Sequence, residues 1–268
     1  MNDGLSVFGG VVAGIGDLDG DGHADIAVSR RPGLLGVPCI EIYSGKTQEL
    51  IRRFEGDRHE VGFATSFAIG DDLDRKGKDD LLVGVPEKPF LSDDRGKVLA
   101  ISAETGSILY TIEPEAHFDH GAGLRAIGDL DGDGVRDFIV RARQMLNPTT
   151  QRYALHIYSG RQGTLLFSVG GTEAGPQPGE RFGDVGDADG DETPDFAVSG
   201  YGRKSPGALV CSGKDGSEIA RFDMLFLGAI GDVNGDGLTE LALASPPHHL
   251  RGREVSEVHI VSLAASLK

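Results

Sequence analysis

A chain of 268 residues, 39% of them apolar, is long enough to bury a large core, and 41 glycines fit many tight turns between short strands. A formal charge of −16 excludes the basic surface that a nucleic-acid binder needs, and no stretch approaches the roughly 18 apolar residues of a membrane-spanning helix. Cys39 and Cys211 fall at different strand phases of different repeats and are read as two free thiols, which leaves the redox compartment open.

Five Asp-rich loops opening at Asp17, Asp72, Asp129, Asp187 and Asp232 divide the chain into similar units, at spacings of 55, 57, 58 and 45 residues. In the first unit, residues 1–55, a short apolar run leads into the loop. Ile26-Ala27-Val28 leaves it, a third run covers 39–43, and a Ser44-Gly45-Lys46-Thr47 turn introduces a fourth at 49–54. The second unit, 56–113, repeats this with Leu81-Leu82-Val83, the run 98–101 and the turn Glu104-Thr105-Gly106. The third, 114–170, has Phe138-Ile139-Val140, 154–158, a turn at 159–163 and a last run at 164–169. The fourth, 171–222, has Phe196-Ala197-Val198, 208–211 and a turn at 212–216. The fifth, 223–268, has Leu241-Ala242-Leu243 and 258–261 but no clear fourth run. Runs of three to six apolar residues bounded by Ser-Gly clusters are too short for helices and fit buried strands joined by hairpins. Four antiparallel strands repeated about every 55 residues describe a propeller blade. The expected fold is therefore an all-β propeller of about five four-stranded blades, occupying 1–268 as a single domain. The last blade is either three-stranded or one member of a larger propeller.

The loops carry the chemistry. In the first, carboxylates stand at loop positions one, three, five and nine: Asp17, Asp19, Asp21 and Asp25. A hard cation with six or seven oxygen ligands takes such a set, with the backbone carbonyl of position seven, here His23, as a further ligand. Gly22 permits the sharp turn that aims the preceding oxygens inward. Clustered carboxylates repel each other, and a divalent cation removes that repulsion. The third loop repeats the set with Asp129, Asp131, Asp133, Val135 and Asp137. The fourth has Asp187, Asp189, Asp191, Thr193 and Asp195, with Glu192 where the turn glycine belongs, a positive-φ position that costs a side chain about 1 kcal/mol. The fifth has Asp232, Asn234, Asp236, Leu238 and Glu240. The second keeps Asp72, Asp74 and Asp80 but places Lys76 at the third ligand position, where an ammonium can stand in for the metal. About four Ca2+ sites are thus expected, enough to halve the formal charge. A helix-loop-helix calcium site needs glutamate at position twelve, where this chain has Val28, Val140, Val198 and Leu243.

With these loops the sequence resembles the FG-GAP repeats of integrin α-subunit propellers and their bacterial relatives. The Phe-Gly half stands as Phe8-Gly9, nine residues before Asp17, then as Phe63-Ala64 and His120-Gly121. The Gly-Ala-Pro half is reduced to Gly84-Val85-Pro86 and Ala244-Ser245-Pro246. The resemblance implies that the loops line one rim, between the first and second strands of each blade, and that the loop positions named above are the calcium ligands. Integrin propellers have seven blades, so ring size and partner do not carry over.

Three functions fit. The first is a non-enzymatic, calcium-stapled interaction module that binds a protein or glycan on the face opposite the metal rim. That face carries Arg30, Arg31, Arg141, Arg143, Arg152, Arg203 and Lys204, and a last loop with His248, His249, Arg251 and Arg253. The second is a polysaccharide hydrolase or lyase acting in the central channel. It needs two placed carboxylates, but the calcium loops account for nearly all the patterned acids, and the leftovers Glu41, Glu60 and Asp184 have no repeating or catalytic spacing. The third is a structural repeat domain of a larger secreted or surface protein. Calcium loops suit millimolar extracellular Ca2+, so an extracellular, periplasmic or cell-surface location is expected, although Met1-Asn2-Asp3-Gly4 does not begin a signal peptide.

Overall fold

Each apolar run pairs with its neighbours through a Ser-led turn, and that turn repeats almost atom for atom. Ser44 N donates to Glu49 O, Ser102 N to Ser107 O, Ser159 N to Thr164 O and Ser212 N to Ser217 O, at 2.8–2.9 Å. The residue that closes the turn has a positive φ: Gly106, Gly163 and Gly216 in three units, and Gln48 (63°) in the first. The computed structural model describes residues 7–31, 36–57, 62–86, 96–113, 118–147, 150–170, 177–201, 206–246, 248–250 and 253–266.

The strands assemble into successive antiparallel blades. Blade 1 is β1 (Val7–Ile15), β2 (Asp25–Arg31), β3 (Cys39–Tyr43) and β4 (Leu50–Glu55). Blade 2 is β5 (Ser66–Ile69), β6 (Leu81–Val85), β7 (Lys97–Ile101) and β8 (Ile108–Ile112). Blade 3 is β9 (Phe118–Ala126), β10 (Phe138–Asn147), β11 (Thr150–Tyr158) and β12 (Leu165–Gly170). Blade 4 is β13 (Gln177–Gly186), β14 (Asp195–Tyr201), β15 (Pro206–Cys211) and β16 (Glu218–Phe222). Blade 5 has three strands, β17 (Leu225–Ala229), β18 (Leu241–Ala244) and β21 (Val258–Val261). The segment read as its basic loop forms a ribbon of β19 (His248–Leu250) and β20 (Arg253–Val255), whose side chains lie outside the described residues, as do Arg203, Lys204 and Arg251. After β21 a four-residue helix, α1 (Leu263–Ser266), tucks Leu263 into the core. The all-β propeller of about five blades is the architecture expected from the repeats.

Four apolar cores join consecutive blades, 1 to 2, 2 to 3, 3 to 4 and 4 to 5. Strand alternation sends one set of side chains to each face of a blade, so the same repeat position fills the same side of every seam. Phe67, Leu124, Phe182 and Phe226 pair with the second strand at one register and are no more than 8% exposed; Val12, their counterpart in blade 1, is 57% exposed. On the opposite face, Ile42, Ala100, Ile157 and Val210 are all at 0%, whereas their blade 5 counterpart Ile260 stands at 56%. Among the described residues, no core joins blade 5 back to blade 1.

The Phe-Gly remnant also has a physical reason. Gly9 (φ 78°), Ala64 (57°) and Gly121 (92°) all lie in the left-handed region. A Cβ on Gly121 would stand 2.7 Å from Val85 N, so glycine is required there by space as well as by φ. Cys39 and Cys211 are free and buried.

Candidate metal centres

Each Asp-rich loop connects the first and second strands of its blade, and all five fold alike. The position-one carboxylate organises the turn. Asp17 Oδ1 accepts from Gly20 N (2.7 Å) and Asp21 N (3.0 Å), and Oδ2 from Gly22 N (2.8 Å). The same bonds recur around Asp129, Asp187 and Asp232. Two positions per loop take a positive φ, not one. Position four is Gly20, Arg75, Gly132, Gly190 and Gly235; position six is Gly22, Gly77, Gly134, Glu192 and Gly237. Glu192 does adopt the strained conformation, at φ 70°.

The position-nine carboxylate is the buried anchor: Asp25, Asp80, Asp137, Asp195 and Glu240 are at most 2% exposed. One oxygen accepts the N–H of loop position two, from Leu18, Leu73, Leu130, Ala188 or Val233, at 2.7–2.9 Å. In blades 1 to 4 the other accepts an N–H from the turn after the third strand, from Gly45, Ala103, Gly160 or Gly213, at 2.8–3.0 Å. This residue therefore ties the loop to a turn some 20 residues away, a role that the sequence pattern did not reveal. Burial pushes the Asp80 and Asp137 carboxyls up to about 6 and raises that of Asp195. Asp17 moves the other way, its charge held chiefly by the Gly22 N–H.

Carboxylate oxygens converge to within 4.8 Å in five groups: Asp17, Asp19 and Asp25; Asp72, Asp74 and Asp80; Asp129, Asp131 and Asp137; Asp187, Asp189 and Asp195; Asp232, Asp236 and Glu240. That spread fits oxygens at about 2.4 Å from one shared centre, and an all-oxygen donor set suits a hard cation. Each group can hold a metal ion. Asp21, Asp133 and Asp191 stand outside these groups. One oxygen of each accepts the position-seven N–H, from His23, Val135 or Thr193, at 2.9 Å. The other oxygens face Ser44, Arg161 and Lys214 from the neighbouring turn. Asn234 donates to Glu240 (2.6 Å) and Asp236 (3.0 Å), while its oxygen accepts Asp236 N; Leu238 N donates to Asp236. In the second loop the Lys76 ammonium lies 2.9 Å from Asp74 Oδ2, beside Ser102 Oγ at 2.7 Å.

The loops also hold blade to blade. Lys78 of the second donates to the Asp17 carbonyl of the first. Arg136 of the third donates to both oxygens of Asp71 at 2.8 and 2.9 Å. Asp184, one of the acids outside the loop pattern, accepts Gly128 N at 2.8 Å across the next seam. Glu41, another, is buried among Arg30 (3.3 Å), Arg53 (3.7 Å) and the Tyr43 hydroxyl (2.8 Å). Glu60 lies outside the described residues.

No family model matches the chain. Two curated relatives are integrin alpha-V of Gallus gallus, 29% identical over 166 residues, and integrin alpha-8 of Mus musculus, 26% identical over 208. These matches cover 57% and 70% of this chain but 15% and 19% of the relatives' own length. Among solved structures, a rhamnogalacturonan lyase of Bacillus licheniformis superposes with a TM-score of 0.56 at 18% identity, over 91% of this chain and 48% of that one. That likeness concerns the fold alone. Repeated Asp loops between first and second strands, the Phe-Gly remnants at their positive-φ positions and the integrin matches agree: the chain is a β-propeller similar to the FG-GAP propellers of integrin α-subunits.

Proposed function

We propose that the chain is a calcium-binding, non-enzymatic propeller that serves as an extracellular or cell-surface interaction module. The observation that carries this reading is the fivefold recurrence of one oxygen cage around a buried position-nine carboxylate. Ca2+ is held by Asp17, Asp19 and Asp25, by their counterparts in the third and fourth loops, and by Asp232, Asp236 and Glu240. Position-five acids and position-seven carbonyls complete the shells after a small rotation. In the second loop Lys76 takes the ion's place. The integrin relatives support protein binding over catalysis, and Glu41 and Asp184, two described acids outside the calcium loops, are engaged separately in blade 1 and at the seam of blades 3 and 4. The partner, a protein or glycan, docks on the face opposite the loops, where Arg30 and Arg31 end β2 and Arg141 and Arg143 lie along β10.

Binding to the folded state alone stabilises it by roughly 2.7 kcal/mol per site at 100 times Kd. The test is thermal melting of the whole chain in EDTA and in millimolar CaCl2. A saturable rise in Tm, reduced by Asp19→Ala or Asp131→Ala, is the expected result. A Tm indifferent to Ca2+ refutes the calcium reading.

A further inference from the structure

The seam between blades 2 and 3 differs from its neighbours at three repeat positions. His120 stands nine residues before its loop, as Phe63 does in blade 2. His156 pairs with Val140 just as Leu99 pairs with Val83 and Leu209 with Val198. Tyr158 takes the place of Ile101 and Cys211, opposite the residue that follows the position-nine carboxylate. The blade 1–2 seam fills all three positions with apolar groups in its core. The fold therefore does not need polar side chains here, yet His120, His156 and Tyr158 are buried, at 0%, 8% and 6% exposure.

The three polar atoms meet. His120 Nε2 lies 3.1 Å from His156 Nδ1 and 3.3 Å from Tyr158 Oη, and His156 Nδ1 lies 3.4 Å from Tyr158 Oη. Hydrogen bonding satisfies at most two of these contacts at once, because an imidazole nitrogen is either a donor or an acceptor and never both. His120 Nδ1 is buried with no hydrogen-bond partner among the described residues, a desolvation cost that Phe63 does not incur. Metal coordination accounts for the near-equilateral spacing. Ligands at 2.0–2.1 Å from a tetrahedral ion stand about 3.3–3.4 Å from one another. The side chains of His156 and Tyr158 also line a cavity of about 490 Å3, walled by Thr111, Ile112 and Glu113 of the blade 2 edge and by Leu165 and Ser168 of β12. That volume falls within the roughly 300–1,000 Å3 range of ligand pockets and leaves room for an exogenous fourth ligand.

We propose that His120 Nε2, His156 Nδ1 and Tyr158 Oη form a binding site for a borderline transition-metal ion, Cu2+ or Zn2+, with its open coordination position facing the cavity between blades 2 and 3. Two imidazoles and a phenolate suit these ions and not Ca2+, whose ligands are oxygens. The site is thus chemically separate from the loops and independent of the calcium reading. Coordination releases the Tyr158 phenolic proton to solvent.

The experiment uses the full chain, saturated with Ca2+ and then titrated with CuCl2 or ZnCl2 by calorimetry and visible absorption. His120→Phe and His156→Leu install residues that other seams carry at these positions, and Tyr158→Phe removes one oxygen, so all three variants keep the seam filled. The expected result is one Cu2+ equivalent with a tyrosinate-to-copper charge-transfer band. Tyr158→Phe abolishes the band, and either histidine variant weakens binding by more than ~10-fold. If the wild type takes up no more Cu2+ or Zn2+ than the histidine variants, or if the band survives Tyr158→Phe, the triad is a neutral hydrogen-bonded cluster and the proposal fails.

Discussion

Asp137→Asn separates the two roles of the loop carboxylates. Asp137 is fully buried, accepts Leu130 N at 2.8 Å and Gly160 N at 2.9 Å, and belongs to the Asp129–Asp131–Asp137 group. Its folded pKa of about 6 lies above the ordinary aspartate value of 3.8. The sign follows: without metal, the folded state binds the proton more tightly than the unfolded chain, so stability falls as pH rises between those two values. At pH 7 the ionised group costs about 3 kcal/mol. Asparagine removes that cost but turns an amide N–H2 toward one of the two backbone donors, losing about 1–3 kcal/mol. In EDTA at pH 7 the variant should therefore melt within about 5 °C of wild type, since 1 kcal/mol moves Tm by roughly 2–4 °C in a chain of this size. In saturating CaCl2 it should fall behind by about 5–10 °C, the loss of one site at 100 times Kd. Differential scanning calorimetry in both buffers, repeated at pH 5, measures all of this. Equal losses in EDTA and in CaCl2 refute the reasoning, because they make Asp137 a structural hydrogen-bond acceptor and no more.

Three further outcomes follow from the same geometry. Lys76→Asp should restore a full acid set to the second loop and add one Ca2+ equivalent by calorimetry, while lowering Tm in EDTA because the 2.9 Å contact with Asp74 is lost. Glu192→Gly and Gln48→Gly relieve side chains held at φ 70° and 63°, so each should stabilise by up to ~1 kcal/mol in chemical denaturation, and the first should also tighten calcium at the fourth loop. Calcium affinity at the third loop should strengthen as pH rises from 5 to 7, since Asp137 must give up a proton held to about 6; a flat pH profile contradicts its place in the metal shell.

The one-dimensional pattern determined whatever is local. A loop of nine residues carries its own turn glycines and carboxylates, so Asp17 to Asp25 and its four counterparts announce an oxygen cage without reference to the rest of the chain. Short apolar runs and Ser-led turns likewise set the strand count of the first four blades, because alternation and hairpin closure act over a few residues. Contacts between segments distant in the chain were not legible. The bond from Gly45 N to Asp25 and the shift of Asp21 and its equivalents toward the neighbouring turn depend on how the strands of one blade pair, and the Arg136 grip on Asp71 on how successive blades stack. The 248–255 ribbon read as a loop because three-residue strands carry too little periodicity to register. His120 read only as a degraded phenylalanine and His156 as a strand residue; they lie 36 positions apart, and only the pairing of β9 and β11 on either side of β10 brings them to Tyr158. Tertiary structure alone decided that meeting, because a residue's periodicity fixes which face it occupies but not what waits on the other side.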